Sequence, residues 1–232
     1  MKPTISVIIP ALNEEKNIQG TVQEVLAALD DRFSDFELVL VDDGSVDTTG
    51  AIMDQLVSDN VRMRVAHNSH PTNLGGAYKT GLAIARMEYV IMVPGDNQFS
   101  AANIAKVLDH VGQADMVIQY TTNQNVRPLP RQLGSRLFTA ILNCFFRLRI
   151  SYYNGTVVHR RELLNTIVIR TDGFAYQAEA IVKLLRAGHT HVDVGTEIRE
   201  RASGRSTALR PKNLAAVFKA IWNLVWEVYF RR

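Results

Sequence analysis

The sequence predicts an α/β fold: a mainly parallel, doubly wound sheet flanked by helices, followed by a C-terminal amphipathic helix. Three observations predict it. Short β-branched runs alternate with segments of helical apolar spacing through residue 122. Polar residues gather where those runs end. The last segment carries its charges on one narrow stripe. Runs of this kind are what fully buried parallel strands require, and the alternation is that of βαβ units, whose ligands bind beyond the carboxyl ends of the strands.

In order, "ISVIIP" is the first strand, and Val22, Val25, Leu26 and Leu29 mark the first helix by their spacing. "FELVLVDD" is the second strand, "TTGAIMDQLV" a helix, "RMRVAHN" a strand, and "GAYKTGLAIARM" a helix. "YVIMVPGD" is the fourth strand, followed by the helix "AANIAKVLDHV" and the strand "DMVIQYTT". The alternation then breaks at the two-proline loop "NQNVRPLPR". A helix follows in "QLGSRLFTAILNCFFRLR", then a strand-like piece in "YYNGTVVHRREL". "AYQAEAIVKLLRAG" is a helix closed by Gly188, and "HVDVGTEI" is the last strand. The expected division is 1–210 for the main domain, split into 1–122 and 123–210, with 211–232 as a C-terminal helix.

Bulk composition narrows the function classes. The 232 residues, 47% apolar and 21% charged, form a normal globular chain. A net charge of +3 is not that of a dedicated nucleic-acid binder, so no nucleic acid is expected. The charge is unevenly placed, however. Between residues 127 and 170 there are eight arginines and a single carboxylate, Glu162, and residues 199–212 add further cations. The second half therefore expects an anion. One cysteine, Cys144, excludes an internal disulfide and a cysteine-based metal site, as fits a reducing compartment. No signal peptide is read ahead of "TISVIIP".

The candidate site lies at the strand ends. The first exit reads Pro10-Ala11-Leu12-Asn13-Glu14-Glu15, the second Asp42-Asp43-Gly44-Ser45, and the fourth Pro94-Gly95-Asp96-Asn97-Gln98. Each alone reads as a turn. Three on one edge of one sheet read as a single site.

The blocks "SVIIPALNEEKNI", "ELVLVDDGSVDTT" and "NLGGAYKTGLAIA", with the Asp-bearing strand end, resemble family 2 glycosyltransferases of the Rossmann-like GT-A fold. Arg131, Ser135 and "ERASGRS" make the chain similar to their dolichyl- and polyprenyl-phosphate sugar transferase branch. The resemblance implies an inverting transfer of a hexose from a nucleotide sugar, of GDP-mannose or UDP-glucose type, to a polyprenyl phosphate. It implies that Asp42 accepts from the nucleobase imide. Asp43 would touch the ribose or cap a turn, with Gly44 beside it. Pro10, Asn13 and Glu14 would wall the nucleotide, or Asn13 and Glu14 would cap the following helix. The family's Asp-x-Asp becomes Pro94-Gly95-Asp96 here, so Mg²⁺ or Mn²⁺ would be held weakly by Asp96 and Gln98, or dispensed with. Arg131 and Ser135 would grip the acceptor phosphate. Arg201 would reach the donor diphosphate with Ser206, and Arg205 would replace the Lys that relatives carry where this chain has Thr207. Asn154 is a sugar contact or part of a turn. Glu179 sits where hydroxyl-accepting members keep a base. His67, His70 and His159 have no metal-ligand spacing.

Residues 214–230 would span roughly 26 Å as a helix, short of the about 20 residues a bilayer crossing needs. Lys212, Lys219, Asn223, Glu227 and Arg231 form a stripe, with Phe218, Trp222, Leu224, Trp226 and Tyr229 elsewhere. The expectation is a helix lying on the cytoplasmic face of the membrane, or else docking on the domain or on a partner subunit. A membrane-protein partner or a homo-oligomer is left open. The alternatives in function are a transferase acting on a glycan hydroxyl, and a non-catalytic nucleotide-sugar subunit.

Overall fold

The structure is a computed structural model that describes residues 2–199 and 211–230. Among the described residues the strands are β1 (Thr4–Ala11), β2 (Asp35–Asp42), β3 (Met63–His67), β4 (Tyr89–Met92), β5 (Met116–Thr121), β6 (Val157–Arg160) and β7 (His191–Thr196). The α-helices are α1 (Ile18–Leu29), α2 (Thr49–Ser58), α3 (Asn73–Ile84), α4 (Ala101–Leu108), α5 (Leu129–Phe146), α6 (Arg161–Leu164), α7 (Tyr176–Arg186) and α8 (Pro211–Phe230). The strands make one sheet in the order β3-β2-β1-β4-β6-β5-β7. Only β6 runs antiparallel to its neighbours. The predicted architecture, GT-A type with a C-terminal helix, is the observed one.

The side-chain period of two sorts the apolar residues into two layers. Ile5, Val7 and Ile9 of β1 join Leu38 and Leu40 of β2 under α1, α2 and α4, through Val22, Val25, Met53 and Ile104. Ile8, Val39, Val41 and Val90 point the other way, into α3, α5, α7 and α8. The helix α3 lies very close to the sheet. A Cβ at Gly81 would stand 2.4 Å from Ile8 Cγ2, so only glycine allows that approach.

Boundaries moved where local chemistry decided them. The fifth helix starts earlier than its apolar pattern, at Leu129-Pro130, because proline suits the first helical turn. In "YYNGTVVHRREL" the first residues form a bend, the strand begins only at Val157, and Arg161 already opens α6.

Candidate active site

The first strand exit is stitched to the second. Asn13 adopts φ 56°. Its amide donates to Ser45 Oγ at 3.0 Å, and its Oδ1 accepts from the Val46 amide at 2.9 Å. The Glu14 amide donates to Thr49 Oγ1 at 2.8 Å. Glu15 Oε2 accepts from the Thr48 amide and hydroxyl at 3.2 and 2.7 Å. The Glu14 carbonyl accepts the Asn17 and Ile18 amides, and its Oε2 accepts from Asn17 Nδ2 at 2.6 Å, so Glu14 does open α1. The Asn13 side chain instead reaches across to the neighbouring loop.

At the second exit, two adjacent carboxylates have different surroundings. Asp42 Oδ1 accepts from the Ser45 amide at 2.9 Å, and Oδ2 lies 3.1 Å from His67 Nδ1. Burial alone would raise the Asp42 pKa, but the Ser45 hydroxyl and amide and His67 outweigh it and hold the carboxyl below its usual value. The other ring nitrogen of His67 is 3.1 Å from Asp54 Oδ1. Its hydrogen bond to Asp42, opposed by burial and reinforced by Asp54, raises the imidazole pKa. Asp43 Oδ1 accepts from Asn68 Nδ2, the Thr72 amide and Thr72 Oγ1 at 2.8, 2.9 and 2.6 Å, and so shapes the turn into α3. Gly44 has φ 76°, and a Cβ there would stand 2.8 Å from the His70 carbonyl carbon. No L side chain suits that place.

The fourth exit lies on the other side of β1. The Val93 amide donates to the Ile8 carbonyl and the Gly95 amide to the Pro10 carbonyl, both parallel pairings carried past the end of β4. A Cβ on Gly95 would come 2.8 Å from Ala11 Cβ. Asp96 is buried, and its Oδ1 accepts from the Gln98 amide at 3.3 Å. Gln98 Nε2 donates to the Arg199 carbonyl at 3.3 Å, and the Arg199 amide donates back to Gln98 O at 2.9 Å. Asp42 and Asp96 therefore flank β1 on either side, about two strand spacings or ~10 Å apart. Among the described residues no three His, Cys, Asp or Glu side chains converge to hold a metal. The donors at this exit are the Asp96 carboxylate and the Gln98 amide oxygen. Such a pair suits a divalent ion whose other ligands are phosphate oxygens and water.

The remaining candidate residues lie in the second half. Arg131 and Ser135 fall one turn apart on α5, and Ser135 Oγ is buried without a hydrogen-bond partner. Residues 170–175 lie against α3: the Gly75 and Gly76 amides donate to the Asp172 carbonyl at 2.7 and 3.2 Å, and Lys79 Nζ stands 2.5 Å from Asp172 Oδ1. Glu179 holds the same loop, accepting the Arg170 and Thr171 amides at 2.9 Å each. Lys183 Nζ lies 2.8 Å from Glu179 and 2.9 Å from Glu227 of α8, and Arg170 Nε is 3.4 Å from Glu227. Burial would raise the Glu179 pKa, but the Arg170 amide, Lys183 and Thr171 outweigh it and lower it. Glu179 is thus an ionised, fully engaged anchor, unlike a base poised to take a proton.

The helix α8 docks on the domain through Ile221 and Leu224, with Tyr229 Oη donating to the Phe145 carbonyl at 2.6 Å. Lys219, Asn223 and Glu227, the middle of the predicted polar stripe, line a cleft of about 340 Å³ against residues 170–175. Phe218, Trp222, Trp226 and Phe230 form an outward stripe at i, i+4 spacing, with exposures between 58 and 70%. Leu129, Leu133 and Leu137 do the same on α5. Among the described residues no helix is long and apolar enough to cross a membrane. Arg201, Arg205, Ser206, Thr207 and Arg231, and the Lys212 side chain, lie outside what is described. Asn154 is exposed in a bend before β6.

Two features escaped the sequence reading. His67, which has no metal-ligand spacing in the sequence, ends β3 directly opposite Asp42 in register. The shared strand end was the available signal. The Lys183–Glu227 contact joins residues 44 apart and left no local trace.

The family model for glycosyl transferase family 2 matches residues 6–184. The chain is 30% identical over 232 aligned residues to the polyprenol monophosphomannose synthase of Mycolicibacterium smegmatis, covering 94% of this chain and 86% of that protein. It is 28% identical to the low-salt glycan biosynthesis hexosyltransferase Agl6 of Haloferax volcanii, over 78% of this chain and 44% of that longer protein. Its fold is similar to that of glucosyl-3-phosphoglycerate synthase from Mycobacterium tuberculosis in complex with Mn²⁺, UDP-glucose and phosphoglyceric acid. There the TM-score is 0.70 at 19% identity, over 97% of this chain and 79% of the other. With a family model spanning most of its length and a GT-A sheet beneath its acidic strand exits, the chain belongs to glycosyl transferase family 2 and is a glycosyltransferase.

Proposed function

We propose that this enzyme transfers a hexose, with inversion, from a nucleotide sugar to a polyprenyl phosphate at the cytoplasmic membrane surface. The observation that carries this reading is the placement of Asp42 and Asp96 on either side of β1 at the carboxyl edge. The likeness to a polyprenol monophosphomannose synthase along nearly the whole chain supports the acceptor.

In this reading residues 1–122 bind the donor and 123–210 the acceptor. Asp42 accepts from the base, Asp43, Gly44, Pro10, Asn13 and Glu14 shape the nucleotide pocket, and the diphosphate reaches Gly95 and Asp96. Mg²⁺ or Mn²⁺, when bound, is held by Asp96 and Gln98 and offsets diphosphate charge. Arg131 and Ser135 position the acceptor phosphate; the buried, unpartnered Ser135 hydroxyl suits an incoming oxygen. Arg201 and Ser206 complete the diphosphate contacts. One phosphate oxygen attacks the anomeric carbon, the bond to the diphosphate breaks, and the nucleoside diphosphate leaves with that electron pair. An ionised phosphate needs no general base, which agrees with the fully engaged Glu179. For transfer to a glycan hydroxyl, Glu179 is not free to serve as that base.

The test is a radiolabelled sugar-nucleotide assay with polyprenyl phosphate in vesicles, with and without chelator. Lipid-linked product is expected from the wild type. Label transferred only to hydroxyl acceptors, or donor binding without turnover, overturns the proposal.

A further inference from the structure

His67 has no part in the transfer proposed above, yet it sits between two carboxylates at the exit of β2. It ends β3, the edge strand of the sheet, and pairs in register with Asp42. Its Nδ1 lies 3.1 Å from Asp42 Oδ2, and its Nε2 lies 3.1 Å from Asp54 Oδ1 of α2. A neutral imidazole carries one N–H donor and one lone pair, so it satisfies only one of two carboxylates. The other then faces a lone pair. Only the imidazolium donates to both, and that is the form this arrangement selects. The imidazole pKa, raised chiefly by the Asp42 hydrogen bond, agrees. Among the described residues the charged groups facing the ring are Asp42 of β2 and Asp54 of α2. With β3 at the sheet edge, no second strand flanks it.

The ring also completes the seat of Asp42. The outer torsion of an aspartate is broad, so its carboxylate keeps one plane only when both oxygens have partners. Here the Ser45 amide holds Oδ1 at 2.9 Å, and His67 holds Oδ2. The helix α2 closes the back of both groups. A Cβ on Gly50 would stand 2.8 Å from Asp42 Oδ2 and 3.5 Å from His67 Cε1, so α2 meets them with bare backbone. A carboxylate oxygen accepts more than one hydrogen bond, so the seated Asp42 can still receive a ligand N–H. Loss of the His67 proton would free one oxygen to turn. It would also leave two carboxylates uncompensated beside a donor that is itself anionic.

We propose that His67 is a positioning residue for donor binding: as an imidazolium bridging Asp42 and Asp54, it fixes the Asp42 carboxylate in the plane that receives the nucleobase. The inference rests on the reading of Asp42 as the base contact and adds the residue that sets its orientation. Donor binding is then tightest below the pH at which His67 loses its second proton, and it weakens above. By linkage, binding near that pH takes up protons.

Isothermal titration calorimetry of the full chain with GDP-mannose and with UDP-glucose, from about pH 5.5 to about pH 8.5, tests this. The dissociation constant of the sugar nucleotide that binds is expected to rise about fivefold across that range, with proton uptake near the midpoint. His67→Gln, neutral at every pH, is expected to bind about fivefold more weakly than the wild type at the acid end, without pH dependence or proton uptake. His67→Arg, a permanent cation with several donors, is expected to return to within about twofold of the wild type there and to hold that affinity across the range. Asp54→Asn keeps the test valid if His67→Gln fails to fold, because Asp54 is exposed. Its loss is expected to move the midpoint to lower pH. A wild-type affinity that ignores pH, or a His67→Gln chain equal to the wild type at the acid end, overturns the positioning role while leaving Asp42 as the base contact. Asp42→Asn is expected to weaken binding about tenfold at every pH. Binding equal to the wild type in that variant sinks the base-contact reading, and the role of His67 with it. Binding of neither sugar nucleotide overturns both.

Discussion

The exits of β1 and β2 and the α5–α7–α8 face organise their polar groups in opposite ways. At the exits, side chains bond to nearby loop backbone: Asn13 to Val46, Asp42 to Ser45, and Asp43 to Thr72. Such groups are preorganised before any ligand arrives, because hydrogen bonds between neighbouring strand-end loops fix the loops that carry them. On the α5–α7–α8 face, order comes from side-chain ion pairs and apolar packing on and between helices. Lys183 joins Glu179 to Glu227, and large apolar side chains of α5 and α8 are left on the outside. The proposed function assigns a ligand of fixed shape to the first region and a longer, less regular one to the second.

The largest test of this contrast is chemical. Asp96→Ala is expected to lower kcat/KM about 10³-fold, or about 4 kcal/mol of transition-state stabilisation, with an unchanged circular dichroism spectrum. Retained activity would move the catalytic centre away from β4. Removal of the triple acceptor comes next. Asp43→Ala strips three donors of their partner and is expected to cost about 3 kcal/mol in urea unfolding. Gly44→Ala forces a side chain into positive φ against the His70 backbone, and should cost about 2 kcal/mol by the same measurement. On the opposite face Glu227→Gln, a partly exposed ion-pair member, is expected to cost only about 1 kcal/mol. A loss there exceeding that of Asp43→Ala would reverse the contrast.

The smallest effect is in pH. The folded pKa of His67 is raised above its ordinary value of about 6.5, so its contribution is complete below that value. It is lost as pH rises through the folded pKa. Thermal stability should therefore decline gently with increasing pH above about 6.5, by less than about 1 kcal/mol given the exposure of the ring. His67→Gln should flatten that slope, and an unaltered slope would assign it to other groups.

The strands β1, β2 and β4 were legible because each contains a short buried apolar run, Val7-Ile8-Ile9, Leu38-Val39-Leu40-Val41 and Val90-Ile91, as a parallel strand covered on both faces requires. Their exits were legible for a related reason: Pro, Gly, Asp and Asn end such runs wherever they occur. The place of Val157 within "YYNGTVVHRREL" was not legible, since an antiparallel strand between β4 and β5 is chosen by its neighbours. The polar stripe of α8 was found, but its direction was not. Lys219, Asn223 and Glu227 fit an outward face as well as an inward one until Arg170 and Lys183 supply partners.

What the sequence determined by itself is the alternation of strands and helices, the acidic strand ends, and the amphipathic character of the last helix. These follow from periodicity and turn chemistry, which act over a few residues. What only the tertiary structure decided is which polar groups are already satisfied. Asp43 supports a turn, Glu179 is saturated by two amides and a lysine, and His67 bridges two carboxylates. The partners of Asp43 and His67 come from 13 to 29 residues away and those of Glu179 from nearer by, but which of them come within reach is decided by how the backbone folds, of which spacing along the sequence carries no record.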